Sequence, residues 1–292
     1  MRAWLPLAGL AVALVVGTAI DRPVEPVART MGGYHVLAGD FHVHVFPFGW
    51  SPLSVRETLL EATRQGLDVV AITPHLQTWQ AGVAQWLAPR MSRSPIVLKG
   101  EEVTTPGFHV LAIGVDGTIS DRLPLGETLD AIHRRGGIAI AAHPYRAVWD
   151  HYDSASLRKL DGSEVVRPEA QYMEQGAAEL REFHVRTPLT AFGNSDYHGF
   201  GLIGFSRTYV FATERTARGV MDAIRAGRTV VYDRDRAYGD PALIALADAN
   251  GGLPRAMPQV PEPGWLRTFS RLCAVASIAI LVLFNQWNNG AR

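Results

Sequence analysis

Gly39-Asp40-Phe41-His42-Val43-His44 closes an apolar run that opens at Tyr34, and its reading decides the fold. Tyr34 to Val45 has the β-branched, aromatic and small residues of a strand. Side chains two apart on a strand leave from the same face, so His42 and His44 point together, as a pair of metal ligands would. Outward from this strand the chain alternates helical with β-rich runs. Ser54 to Gln65 reads as helix, Leu67 to Thr73 as strand, Trp79 to Met91 as helix, and Ile96 to Thr104 and Phe108 to Val115 as strands. Leu125 to Arg135 follows as helix, Ile138 to Ala142 and Ser163 to Val166 as strands, and Glu169 to His184 as helix. Leu189 to Phe192 and Thr208 to Phe211 are strands, Ala217 to Ala226 a helix and Thr229 to Tyr232 the last strand. Such alternation predicts βαβ units, a mostly parallel sheet and, over about 200 residues, a closed α/β barrel.

The other polar residues at strand ends gather on the same logic. His75 follows Ile72-Thr73-Pro74, Glu102 ends Lys99-Gly100-Glu101-Glu102, His109 opens the next strand, and His143 follows Ile140-Ala141-Ala142. Asp196 and His198 follow Phe192-Gly193-Asn194-Ser195 as a second spaced pair. In a parallel barrel the C-terminal strand ends converge on one face, so six imidazoles and two carboxylates share one pocket. One strand-end histidine alone is ordinarily a hydrogen-bonded or surface residue, and a lone aspartate a turn or cap. Eight such residues together are different, because so many unpaired polar groups in one mouth are costly and mixed imidazole and carboxylate donors suit Zn, Mn or Fe. His35, His133, His151 and His184 fall beside a linker, within a helix, in a polar loop and at a helix end, and are read as non-ligands.

These segments resemble a known family. Gly39-Asp40-Phe41-His42-Val43-His44, Ala71-Ile72-Thr73-Pro74-His75, Gly100-Glu101-Glu102, Phe108-His109-Val110-Leu111, Ala142-His143-Pro144 and Asn194-Ser195-Asp196-Tyr197-His198 are similar to the successive motifs of the PHP (polymerase and histidinol phosphatase) domain, in that family's order, between Val36 and Tyr232. The resemblance implies a distorted (β/α)7 barrel, a site for two or three metals and phosphoester hydrolysis. The closing segment Val220 to Val231 resembles that of a branch with carbaryl-hydrolase-like metallohydrolases, which keeps ester and carbamate bonds in view. Two departures stand out. Val45-Phe46-Pro47-Phe48-Gly49-Trp50-Ser51 lacks the Asp or His that the family carries beyond His-x-His, and Thr73-Pro74-His75 stands where Thr-Asp-His is usual. Glu101 is a candidate to replace that acid, although on a strand it faces away from Glu102.

The resulting expectation is a phosphoesterase that holds two divalent ions through His42, His44, His75, Glu102, His109, His143, Asp196 and His198, with a metal-activated water as nucleophile. His198, Arg146 and Arg207 are candidate assisting residues, the arginines as partners for developing negative charge. Phe46, Phe48, Trp50, Trp79 and Trp149 are candidates for an apolar rim, for a small-molecule phosphoester or ester. The rivals are a silent module holding a structural metal and an amidohydrolase-like C–N hydrolase; the latter lacks a bridging lysine, because Lys99 should point off-site.

Composition sets the frame. The chain has 292 residues, 47 % hydrophobic, with 28 Lys and Arg balancing 28 Asp and Glu. Without a basic stripe, nucleic-acid binding has no support, and no obligate protein partner is implied. The single cysteine, Cys273, excludes an internal disulfide. Residues 1–20 read as a signal peptide or signal anchor, 21–35 and 236–264 as linkers around a 36–235 domain, and 265–287 as a transmembrane helix. Arg2 ahead of the first apolar run then places a membrane-anchored barrel on the extracytoplasmic side.

Overall fold

The computed structural model describes residues 4–20, 29–47, 49, 51–167, 174–187, 189–199, 201–254 and 265–290. In chain order the elements are α1 (Trp4–Ile20), β1 (Arg29–Met31), β2 (Tyr34–Val43), α2 (Val55–Arg64), β3 (Val69–Ile72), α3 (Trp79–Leu87), β4 (Ile96–Thr104) and β5 (His109–Ile113). There follow α4 (Leu125–Arg134), β6 (Ile138–Ala141), a 3-10 turn (Arg146–His151), α5 (Ser154–Leu157), β7 (Gly162–Val166), α6 (Glu174–Arg186) and β8 (Thr190–Gly193). The chain closes with β9 (Thr208–Ala212), α7 (Ala217–Arg225), β10 (Thr229–Asp233), β11 (Arg236–Gly239), α8 (Pro241–Ala249) and α9 (Trp265–Gly290).

The strands form one sheet in the order β11-β10-β9-β2-β3-β4-β5-β6-β7-β8. β2, β3 and β4 run parallel, as do β6, β7 and β8, whereas β5 reverses between them and β9, β10 and β11 are antiparallel additions. The two ends of the run are stitched by side chains rather than by a ladder. Thr208 Oγ1 accepts from Gly193 N at 2.9 Å and donates to Gly193 O, and Thr229 Oγ1 donates to Ala191 O at 3.0 Å. A barrel-like α/β fold results, more antiparallel than the alternation alone predicts.

Alternation along each strand sorts the core. Leu37, Phe41, Val69, Ala71, Leu111 and Ile140 pack with Phe192 inside the curve of the sheet. Their neighbours Val70 and Ile72 face the opposite way, onto Leu59 and Ala62 of α2 and Ala81 and Ala84 of α3. Val110 and Ala112 likewise face Leu129 and Ile132 of α4. This is the period-two division expected of strands covered by helices. Val220, Met221, Ala223 and Ile224 of α7 join the inner cluster beside Ile113 and Ile138, so α7 plugs the end of the barrel opposite the C-terminal strand ends. The other mouth is left to the polar residues.

The sequence expectation needs correcting at three places. Residues 236–254 are not a linker: β11 pairs with β10, and α8 sets Leu243 and Ala247 into the core. Asp240 caps α8 through Ala242 N at 2.8 Å and Pro241 occupies its first turn, so this proline starts a helix. Residues 255–264 lie outside the described residues, as do 168–173 from the start of the expected Glu169–His184 helix. The largest correction concerns the membrane. Among the described residues no helix is long and apolar enough to cross a bilayer. α1 has 17 residues; at about 1.5 Å per residue it falls short of the roughly 30 Å hydrocarbon core. α9 has 26 residues but carries Arg267 and Arg271 in its first turns and Asn285, Gln286, Asn288 and Asn289 in its last, leaving too short an apolar middle. The signal anchor offered as one reading of 1–20, the transmembrane helix expected at 265–287 and the membrane-anchored placement built on them are overturned. α1 and α9 form a compact unit separate from the barrel, which spans Val24–Pro258. Within that unit Ser270 Oγ donates to Ala13 O at 2.6 Å.

Candidate metal centre

All eight predicted residues meet at the open mouth. His42 and His44 leave the end of β2 and its continuation, both fully buried, with their Nε2 atoms 3.1 Å apart. His75 follows β3, Glu102 lies near the end of β4, His143 follows β6, and Asp196 and His198 follow β8. His109 reaches the same rim from the start of β5, because an antiparallel strand begins where its parallel neighbours end.

Glu102 is the hub. Its Oε1 lies 2.8 Å from His109 Nδ1 and 3.0 Å from His143 Nε2, and its Oε2 lies 3.0 Å from His75 Nδ1, 3.3 Å from His44 Nε2 and 3.4 Å from His42 Nε2. Asp196 Oδ1 completes the centre, 3.0 Å from His42 Nε2 and 3.2 Å from both His44 Nε2 and His198 Nδ1. Three donor sets overlap here: His42, His44, Glu102 and Asp196; Glu102, His109 and His143; and His44, His75 and His198. The ligand atoms of each set lie within 4.8 Å of one another. The third set consists of three imidazoles, none of them from the Val45–Ser51 loop.

Charge in the cluster is arranged around a cation. Burial opposes the protonation of His42, yet Asp196, Glu102 and Glu164 hold its pKa well above the ordinary value. Burial also opposes ionisation of Glu102 and Asp196, but the imidazoles around them, with Arg167 beside Asp196, hold both carboxyls well below the usual range. Positive charge at the centre is therefore stabilised from all sides. Glu102 Oε2 and Asp196 Oδ1 are buried and accept no well-formed hydrogen bond, although imidazole nitrogens crowd them. Two buried carboxylate oxygens without a hydrogen-bond partner, crowded by ring nitrogens, are the donors a divalent cation satisfies, so the residues fit such an ion.

Backbone strain marks the same place. His143 has φ +29°, Asp196 φ +48° and Leu76, next to His75, φ +54°. Left-handed conformations at non-glycine residues cost on the order of 1 kcal/mol each and persist where surrounding bonds enforce them. Asp40 supplies such bonds: fully buried, it accepts from His42 N and Ser195 N through Oδ1 and from Gly204 N at 2.8 Å through Oδ2. Burial raises its pKa to about 6 despite these bonds.

Several supporting residues escape the sequence reading. Thr104 Oγ1 lies 2.7 Å from His75 Nδ1, taking the orienting part that an acid beside His75 would have played. Glu164, mid-strand in β7, lies 2.9 Å from His42 Nδ1. Arg167 pairs with Asp196 Oδ2. The two arginines proposed from sequence are occupied elsewhere. Arg146 is exposed, pairs with Glu182 and stacks on Trp149, while Arg207 is buried and donates to Gly204 O and Gln65 O. Glu101 faces away from the cluster and accepts from Ile119 N, so it does not replace the missing acid. Lys99 points off-site, to Asp116 at 2.5 Å. Of the aromatic rim, Phe46 and Trp79 are exposed, Trp149 packs on Phe183 instead, and Phe48 and Trp50 lie outside the described residues. His133 pairs with Asp161 and His184 with Ser163; neither they nor His35 and His151 enter a donor set.

No family model matches the sequence. Uncharacterized protein MJ1587 of Methanocaldococcus jannaschii is 32 % identical over 140 residues, covering 44 % of this chain and 81 % of that protein. A two-domain protein of Bacteroides vulgatus, described as containing a predicted PHP-like metal-dependent phosphoesterase, superposes with a TM-score of 0.59 at 22 % identity, over 77 % of this chain and 72 % of its own. With its strand ends gathering histidines and carboxylates as above, the chain belongs to the same family as the Methanocaldococcus protein and has the fold of a PHP-like metal-dependent phosphoesterase.

Proposed function

We propose that this chain is a metal-dependent phosphoesterase acting on a small-molecule substrate. The observation that carries the proposal is the trio of overlapping donor sets joined through Glu102 and His44 at the barrel mouth. The set of His42, His44, Glu102 and Asp196 would hold one ion, with the Glu102–His109–His143 and His44–His75–His198 sets holding others, one more position than the two expected from sequence. Divalent ions such as Zn, Mn or Fe supply Lewis acidity, which draws charge from a phosphoryl oxygen and acidifies water.

The remaining work belongs to the chain. His42, His44, Glu102 and Asp196 are buried, so charges on the floor of the site are screened less than at the surface. His75, His109, His143 and His198 are half-buried and form the face that a substrate meets. Asp196 bonds His198 Nδ1 through its carbonyl at 2.9 Å and holds the imidazole pKa up against burial. Arg167, at the end of β7, is the arginine beside the donors and balances the charge of Asp196. Arg146 and Arg207 take no part.

The test is a substrate panel on metal-stripped full chain reloaded with Mn or Zn. Phosphomonoesters and phosphodiesters should be hydrolysed only after reloading, and Glu102→Ala should abolish turnover. Hydrolysis of carboxylic esters or carbamates with no phosphoester turnover would move the chain to the other reading of the same donors. Absence of all hydrolysis with one ion or none bound would make it a silent module.

A further inference from the structure

β7 supplies no residue to the three donor sets, yet its Glu164 is fully buried behind them. Both of its carboxylate oxygens are taken. Oε1 lies 2.9 Å from His42 Nδ1 and accepts from Asn194 Nδ2 at 2.9 Å, and Oε2 accepts from His143 N at 2.7 Å. Asn194 is itself fixed, its Oδ1 accepting from Phe41 N at 2.9 Å. The amide of Asn194 and the backbone N–H of His143 are obligate donors, so Glu164 is held as an acceptor whatever His42 does. An acceptor at 2.9 Å requires a proton on His42 Nδ1. In the neutral, ligating imidazole the lone pair is then left on Nε2, which faces Asp196 Oδ1 at 3.0 Å and Glu102 Oε2 at 3.4 Å.

We infer that Glu164 is a positioning residue: by accepting the Nδ1 proton of His42 it aims the Nε2 lone pair into the His44–Glu102–Asp196 cluster, and by clamping His143 N it sets the entry of a second ligand. Metal-binding imidazoles commonly lean on an outer carboxylate in this way. His143, at φ +29°, is the backbone position where such a clamp is needed. The inference rests on reading the cluster as a metal site.

Glu164→Gln tests it, since it keeps the shape and turns one oxygen into a donor. If the amide oxygen serves His143 N, the NH2 group faces His42 Nδ1, and His42 can meet it only with its proton moved to Nε2, where the lone pair is needed. The readout is zinc affinity of the metal-stripped full chain, by competition with a chromophoric chelator. Glu164→Gln should weaken the affected zinc about 10- to 100-fold. In a His42→Asn background the same substitution should add less than about twofold, because coupled residues are non-additive. A Glu164 that merely supports the fold would give equal losses in both backgrounds, and that result, or unchanged affinity in Glu164→Gln, overturns the inference. Zinc binding by the wild type with no effect of Glu164→Gln refutes this inference alone; a wild type that binds no zinc refutes the metal-site reading and the inference with it. Should the variant not fold, nitrogen-15 NMR of the zinc-loaded wild type decides: His42 must carry a proton on Nδ1, and a bare Nδ1 overturns the assignment.

Discussion

Glu101→Gln separates the two carboxylates that sit side by side at the end of β4. Glu102 points into the donor cluster, whereas Glu101 is fully buried on the other face, with Oε1 taking Ile119 N. Burial raises its pKa from the ordinary 4.5 to about 7, against the opposing pull of that hydrogen bond and of Arg135. Below pH 4.5 the folded and unfolded chains both hold the proton. As pH rises toward 7 the unfolded chain releases it and the folded chain does not, so the stabilisation is full at low pH and is lost as pH climbs through the folded pKa. At about 1.4 kcal/mol for each pH unit between the two values, the loss is on the order of 3 kcal/mol. Glutamine keeps the acceptor for Ile119 N and removes the titration. Urea unfolding of metal-stripped wild type and Glu101→Gln at pH 5 and pH 8 should show the variant gaining about 3 kcal/mol relative to wild type at the higher pH. Metal content should not change. A stability difference that is the same at both pH values, or a loss of bound metal in Glu101→Gln, would refute the placement of this residue.

Three further outcomes follow from other contacts. Thr104→Val removes the oxygen beside His75 Nδ1 and should weaken metal at the His44–His75–His198 set about 10- to 100-fold, read as one ion lost first on dialysis. Asp40→Asn replaces one of its acceptor oxygens with an NH2 donor facing a backbone N–H and should cost roughly 1–3 kcal/mol in denaturant unfolding, with the β2 end and the Ser195 turn losing amide-exchange protection first. Arg146→Ala should leave turnover unchanged and cost no more than about 1 kcal/mol, because its guanidinium serves an exposed pair with Glu182.

The sequence shows most of the donor set because donors need only two rules: period two along a strand and convergence of strand ends. His42 and His44 follow the first, and His75, Glu102, His143 and Asp196 the second. His109 lies at the same rim for a reason the alternation does not state, since β5 reverses. The supporting residues are harder to read because their facing depends on register. The pairing of β7 with β8 shifts between Glu164 and Val166, so a count along the strand does not tell which of them turns inward. A usable signal was present: a lone acid flanked by Ser163, Val165 and Val166 in a buried strand needs a partner. The φ values of His143 and Asp196 leave no trace in composition. Arg146 and Arg207 are candidates for developing negative charge, but Trp149 and Glu182 capture one and two backbone carbonyls the other. At the C-terminal end the apolar run suggests a span, but the helix that forms around it takes in arginines and asparagines, and no described helix is long and apolar enough to cross a bilayer.

The central claim is that the histidine and carboxylate cluster holds divalent metal and that the chain hydrolyses phosphoesters through it. Titrating Mn or Zn into the metal-stripped full chain while following the initial rate of p-nitrophenyl phosphate hydrolysis tests this most directly. The rate should start at zero and rise to a plateau as the sites fill. Hydrolysis by the stripped chain at the plateau rate, or none at any loading, would contradict it.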